Sequence, residues 1–299
     1  MRCPATAAVL FDRTIILRTS ACLLAVVAAA CTGTAVLTQR VEARRLAAEI
    51  RVQFAKASDA ANRAVMSDTD EGSAAAAQEA EAAAQAVLRD VNLLHPILQS
   101  LGYPDEIRAL DAFTDRFAEF RTLDGEILPL AVENTNLKAQ RLSFGPARDA
   151  SRSFREALDA AAKSAALPNR IRAEALASQA GAAMLEIQVI EARHIAEPDD
   201  AAMTQMEAEM STLETTLRDK LGALTAIVPG DGPHLRAADS ALERFKGHHA
   251  EIIGLSRRNT NVRSLALSLG RKRIVTAACD DHLRALVEAL AKHEFRATR

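Results

Sequence analysis

The sequence predicts an all-α fold: two tandem up-down four-helix bundles stacked end to end, preceded by an N-terminal transmembrane or signal helix. Three observations predict it. About one residue in five is alanine, against 12 Gly and 9 Pro, which favours helices because Ala loses no side-chain entropy on helix formation. Apolar residues recur every three or four positions, and no stretch of strand length alternates strictly. Finally, the chain repeats part of itself. With 49% hydrophobic residues it can fill packed cores, and its formal net charge of −2 lacks the basic footprint of a nucleic-acid binder.

The first element is apolar. Residues 1–18 read as a cytoplasmic n-region and 19–39 as a transmembrane or signal segment. No charged side chain lies between Thr19 and Gln39, with Arg13 and Arg18 before them and Arg40, Arg44 and Arg45 after. About 20 such residues span a bilayer core. Three readings stay open: an uncleaved single-pass anchor, favoured by the apolar run to Leu37; a signal peptide cleaved after Ala28-Ala29-Ala30; and a lipoprotein signal processed at Cys31. Each places the remaining chain outside the cytoplasmic membrane of a bacterium, on the periplasmic or extracytoplasmic side. Cys3, Cys22 and Cys31 belong to this segment, so the soluble body holds only Cys279 and must be stabilised by packing.

Beyond residue 40, Gly, Pro and Asp punctuate the chain at Asp68 to Gly72, Gly102-Tyr103-Pro104, Gly145-Pro146, Pro168, Pro198, Pro229 to Pro233 and Gly270, which delimits eight long helices. Ile107, Leu110, Phe113, Phe117 and Phe120 share one helical face, as do Leu176, Ala180, Ala183, Ile187 and Ile190. The segment Ile107 to Phe117 (IRALDAFTDRF) aligns with Leu235 to Phe245 (LRAADSALERF), and Glu133 to Gly145 (ENTNLKAQRLSFG) with Arg258 to Gly270 (RNTNVRSLALSLG). Each repeat holds four helices, the content of a four-helix bundle. The first bundle is expected at 40–167 and the second at 168–299. Pro168 suits the first turn of a helix, where its missing N–H costs nothing.

Motifs that carry chemistry are mostly absent. There is no Gly-rich phosphate loop, no Gly-x-Ser-x-Gly elbow, no His-Glu-x-x-His zinc pair and no Cys-x-x-Cys-His haem site, so neither an enzyme nor a cofactor is expected. Glu191-x-x-His194 has the spacing of a di-iron ligand pair, but a second copy is missing and a solvated helix face is the default. Cys279 and His282 lie on one helical face and form a minor metal-site candidate, with a buried, inert Cys279 as the alternative. If Gly270 is a turn, Asn259-Thr260-Asn261 sits opposite Cys279 to His282. Asn and Thr are mediocre helix formers, so their recurrence at Asn134 to Asn136 and Asn259 to Asn261 implies a polar layer across the bundle. Arg257, Arg258, Asn259, Asn261, Arg263, Asn134, Asn136 and Lys138 are therefore the candidate ligand-binding residues; the competing reading is a set of interhelical bonds that fixes helix register.

The run Ser256 to Leu286 (SRRNTNVRSLALSLGRKRIVTAACDDHLRAL) resembles the last two helices of the four-helix-bundle sensory domains of methyl-accepting chemotaxis proteins and related bacterial receptors. Through the repeat, the likeness extends more weakly over residues 40 to 167. The resemblance implies a membrane-anchored, extracytoplasmic sensor, usually dimeric, binding small molecules near the interface between bundles, with a role in signal transduction or chemotaxis. The chain departs from that family by ending at Arg299 without a second hydrophobic span, a linker module or a cytoplasmic coiled coil. The expectation is thus a sensor-like module whose partners are the membrane, a second copy of itself and a separate receptor or signalling protein. The alternative is a structural scaffold or spacer of the cell envelope.

Overall fold

A computed structural model describes residues 13–228 and 232–296, with side chains between residues 36 and 293. Every element among the described residues is helical: α1 (Arg13–Met66), α2 (Asp70–Leu101), α3 (Pro104–Glu133), α4 (Thr135–Leu142), α5 (Arg148–Ser164), α6 (Arg170–Ala196), α7 (Asp200–Thr225), α8 (Pro233–Arg258), α9 (Thr260–Leu267) and α10 (Arg273–Arg296). Two π-helical segments, Ser143–Ala147 and Ser268–Lys272, join α4 to α5 and α9 to α10, and Pro168 lies in a short 3₁₀ turn, Leu167–Asn169, that leads into α6. Among the described residues no helix is long and apolar enough to cross a membrane. The expected n-region and membrane or signal segment lie, up to residue 35, outside the residues whose side chains are described, as do Cys3, Cys22 and Cys31.

The chain forms two compact units. Unit one draws on α1 up to Lys56, on Ala83–Ala118 of α2 and α3, and on α10 from Ala277 onward. Its core takes one residue per turn from each helix: Leu46, Ile50 and Phe54, then Val87, Val91, Leu94 and Leu98, then Leu110, Phe113 and Phe117, then Cys279, Leu283, Leu286 and Leu290. Phe54 meets Phe113 and Phe117 edge-on at centroid distances of 5.9 and 6.0 Å. A buried phenylalanine stabilises by about 2–3 kcal/mol, so these three rings anchor the unit. The α2–α3 turn is a Schellman motif: Gly102 takes a left-handed φ of 66° while Tyr103 N–H donates to the Leu98 carbonyl and Gly102 N–H to that of Gln99.

Unit two comprises Ala57–Ala82 and Glu119–Thr276. Its main core is lined by Phe154 and Leu158 of α5, Met184, Ile187 and Ile190 of α6, Met210, Leu217 and Leu221 of α7, and Leu242, Phe245 and Ile252 of α8. The last helix of the first repeat therefore packs with the first three helices of the second. In unit one, the last helix of the second repeat joins the first three helices of the first.

The breaks before these last helices differ from the sequence reading. Gly145-Pro146 is not a turn, since it lies inside a π-helical segment of a continuing helical run, whereas Gly270 kinks the second run, its φ of −87° and ψ of −107° leaving helical geometry. The chain turns instead at Asn134 and Asn259, both left-handed with φ of 52° and 53°. Asparagine tolerates that conformation because its short side chain can bond locally. Asn259–Asn261 belongs to unit two and Cys279–His282 to unit one.

Candidate functional site

The two Asn-Thr-Asn segments meet inside unit two. A helix start leaves its first amide N–H groups without intrahelical partners, and a side chain just before the helix usually accepts from them. Here the left-handed Asn134 and Asn259 make no such bond to their own helices. Each helix start is capped by the other repeat. Thr135 N–H donates to Thr260 Oγ1 and Thr260 N–H to Thr135 Oγ1, both at 3.1 Å. Asn136 N–H donates to Asn261 Oδ1 and Asn261 N–H to Asn136 Oδ1, again at 3.1 Å. The amide groups complete the exchange, Asn136 Nδ2 donating to Asn259 Oδ1 at 2.7 Å and Asn261 Nδ2 to Asn134 Oδ1 at 2.8 Å. Exchanging every residue for its repeat equivalent reproduces the same set of bonds, so a local two-fold relation passes between Thr135 and Thr260. Glu133 and Arg258, also repeat equivalents, form an ion pair beside it.

The junction is bonded outward as well. Asn134 Nδ2 donates to Asp70 Oδ1 and Ser73 Oγ, Asn136 Nδ2 to the Ile195 carbonyl, and Asn259 Nδ2 to the Glu197 carbonyl. Lys138 Nζ donates to the Glu133 carbonyl and pairs with Asp70. Thus Asn134, Asn136, Asn259, Asn261, Lys138 and Arg258 converge, with their polar atoms engaged in protein contacts, whereas the sequence reading sets the two Asn-Thr-Asn segments in separate bundles. Arg257, on α8, is held apart by α7, bonded to Glu207, Thr204 and the Asp200 carbonyl, and Arg263 is exposed on α9. The minor metal candidates Cys279 and His282 belong to unit one, Cys279 being buried. Among the described residues no three His, Cys, Asp or Glu side chains gather as a metal would require.

A groove of about 320 Å³ opens at the junction. Three pairs of repeat equivalents line it, Asn136 with Asn261, Leu137 with Val262 and Gln140 with Leu265, while Ser67 and Asp68 come from the first repeat alone. Met66 and Ala196 end the corresponding first helices of the repeats, and they too line it, with Val65 and Ile195 before them. The groove therefore lies across the local two-fold relation, with largely apolar walls and a polar edge made by Ser67, Asp68, Asn136, Gln140 and Asn261.

Sequence reasoning missed a second polar cluster. Glu191 and His194, read as a solvated face, are wholly buried. The signal was present, because both stay in phase with the buried stripe Ala183, Ile187 and Ile190 and so continue it inward. Their charge is accommodated by partners from other elements. Glu191 accepts from Ser143 Oγ at 2.6 Å, at the start of the first π segment, and contacts His249 Nδ1 at 2.7 Å. His194 Nδ1 meets Ser256 Oγ at 2.8 Å, and its Nε2 meets Glu207 Oε1 at 3.0 Å. Burial pushes the His194 imidazole below its ordinary range, whereas the Arg257 guanidinium bonded to Glu207 holds that carboxyl below the usual carboxylate range. The second π segment carries its own buried pair, Lys272 with Asp124, and Lys272 Nζ also lies 4.8 Å from the centre of the Phe120 ring. A π segment inserts a residue into the helix and is often found at functional sites.

Neither the models of known protein families nor the curated proteins yield a match to this sequence.

Proposed function

We propose that this chain is a sensor-like helical module, similar to the ligand-binding domains of bacterial chemoreceptors, that binds a small, largely apolar ligand in the groove at the Asn-Thr-Asn junction. The observation that carries this reading is the groove lined by three repeat-equivalent pairs, two of them the Asn136–Asn261 and Leu137–Val262 pairs that follow the helix breaks, and by the ends of both first helices. Concave, mainly apolar sites with a few placed polar groups are where small molecules bind. Reciprocal capping holds α4 and α9 in one geometry, so a ligand wedged between them would bias both π-kinked helical runs at once. On this reading residues 19–39 anchor the module in a bacterial cytoplasmic membrane with its body outside, and a separate receptor or a second copy relays the signal. Thermal-shift screening of the full-length chain against small apolar and amphipathic molecules tests it. A saturable stabilisation that disappears in Leu137→Trp is the expected result; a flat response throughout would overturn the proposal.

A second reading, a ligand-free envelope scaffold, is favoured by one observation: the four junction asparagines bond to protein groups. It predicts that Asn261→Ala lowers stability and changes no binding of any kind.

A further inference from the structure

Between α6, α7 and α8 of unit two lies a cavity of about 100 Å³, separate in its lining from the groove. Its depth is apolar, formed by Ile187, Leu217 and Leu242 together with the thioethers of Met184 and Met210 and the ring of Phe245. Its polar wall is made by Glu207 and His249, and Ser211, Glu214 and Lys246 complete it. Both wall residues are pre-set by groups behind them. Glu207 uses Oε1 for Arg257 and His194, which leaves Oε2 without a hydrogen-bond partner among the described residues. His249 turns Nδ1 toward the buried Glu191 carboxylate and stacks on Phe245. The tautomer in which Nδ1 donates to Glu191 leaves Nε2 as an acceptor.

We propose that this cavity is a binding site for a short primary alkylammonium ion, its chain among the apolar side chains and its ammonium donating to Glu207 Oε2 and His249 Nε2. The head group follows from the donor–acceptor balance. The two set groups are acceptors, and an ammonium has three donors and no acceptor. Charge agrees: Glu207 and Glu214 line the cavity and Glu191 stands behind His249, against Lys246 and Arg257. Lys246 is occupied by Glu214 and Glu243, and Arg257 by Glu207. A carboxylate would meet Glu207 with like charge, and a quaternary ammonium would have no hydrogen to donate. The polarisable sulfurs and the aromatic ring suit a cation at the boundary of the apolar depth. Size sets the chain. A dry engineered cavity of about 150 Å³ accepts benzene, so this smaller one takes roughly four to six non-hydrogen atoms.

Isothermal titration of the full-length chain with n-butylammonium chloride tests the site, with 1-butanol and butyrate as comparators. Saturable binding of one butylammonium per chain is expected, with butanol and butyrate at least about tenfold weaker, because the charge-assisted bond to Glu207 is missing or reversed. Glu207→Gln should weaken butylammonium at least about tenfold. Ser211→Phe, at an exposed lining position on α7, should abolish binding by closing the entrance while leaving helicity unchanged; it decides the question if Glu207→Gln does not fold. Absence of saturable binding by the wild-type chain would overturn the proposal, as would butanol binding equal to butylammonium or wild-type affinity in Ser211→Phe. Leu137→Trp, in the junction groove, should leave butylammonium binding unchanged, which separates this site from the groove.

Discussion

Lys272 and Asp124 show what a single buried contact costs and contributes. The pair is almost fully enclosed, and neither charged atom has a hydrogen-bond partner outside it. Burial pushes the Asp124 carboxyl up and the Lys272 ammonium down, each against the attraction of the other. Removing one charge strands its partner, so Lys272→Met should destabilise unit two by about 3–5 kcal/mol in urea unfolding. Asp124→Leu combined with Lys272→Met should recover most or all of that loss, since well-packed apolar replacements of buried pairs are often neutral or stabilising. Glu207 gives a pH-dependent counterpart. Its folded carboxyl lies below its unfolded value, so over the interval between them the unfolded chain binds more protons and stability falls as pH falls. His194, also lowered, acts in the same sense from about pH 6.5 downward, whereas the raised Asp124 acts oppositely. The stability difference between wild type and Glu207→Gln should therefore shrink as pH drops below about 4.5. Urea midpoints from pH 7 to pH 3 check this, and a constant difference would refute the role given to Glu207.

At the scale of elements, the apolar period was legible: the stripes through Phe113 and Phe117 and through Ala180 to Ile190 are buried as read. The helix breaks were not. Gly and Pro are the strongest punctuators of a sequence, so Gly145-Pro146 and Gly270 attracted the turns. Backbone geometry resolves the conflict otherwise: a π segment accommodates Gly145-Pro146 inside a helical run, Gly270 only kinks its run, and two asparagines supply the left-handed turns. The asparagine turns make their own prediction. A left-handed residue costs about 1–2 kcal/mol when it carries an ordinary side chain, and each lost hydrogen bond adds about 0.5–1.5 kcal/mol. Asn134→Ala should therefore destabilise unit two by about 3–6 kcal/mol, and Asn134→Gly by less, because glycine removes the backbone cost and leaves the bonds to Asp70, Ser73 and Asn261 unmade. Chemical unfolding of the two variants checks the order; equal stability of Asn134→Gly and wild type would show that those side-chain bonds contribute nothing.

At the scale of the whole molecule, the duplication could be read because alike residues recur at alike positions, from Ile107 against Leu235 to Gly145 against Gly270. The choice of packing partners could not. An alignment says which residues correspond, and it is silent on whether a fourth helix packs within its own repeat or with the other. The recurrence of Asn134 to Asn136 at Asn259 to Asn261 was legible for the same reason as the repeat, but their meeting was not, because it depends on the packing partners. Glu191 and His194 were not legible as buried from residue type, because ionisable side chains ordinarily face solvent, although their phase places them inside. Both the groove and the capping of α4 and α9 depend on repeat-equivalent residues facing each other at the Asn-Thr-Asn segments, and one measurement tests this most directly. Thr135 Oγ1 and Thr260 Oγ1 lie 3.2 Å apart. In the doubly substituted full-length chain, Thr135→Cys with Thr260→Cys, mild oxidation followed by peptide mass spectrometry should find the peptides spanning positions 135 and 260 joined within one chain. Recovery of both peptides unlinked, or linked only between two chains, would contradict reciprocal capping of the repeats.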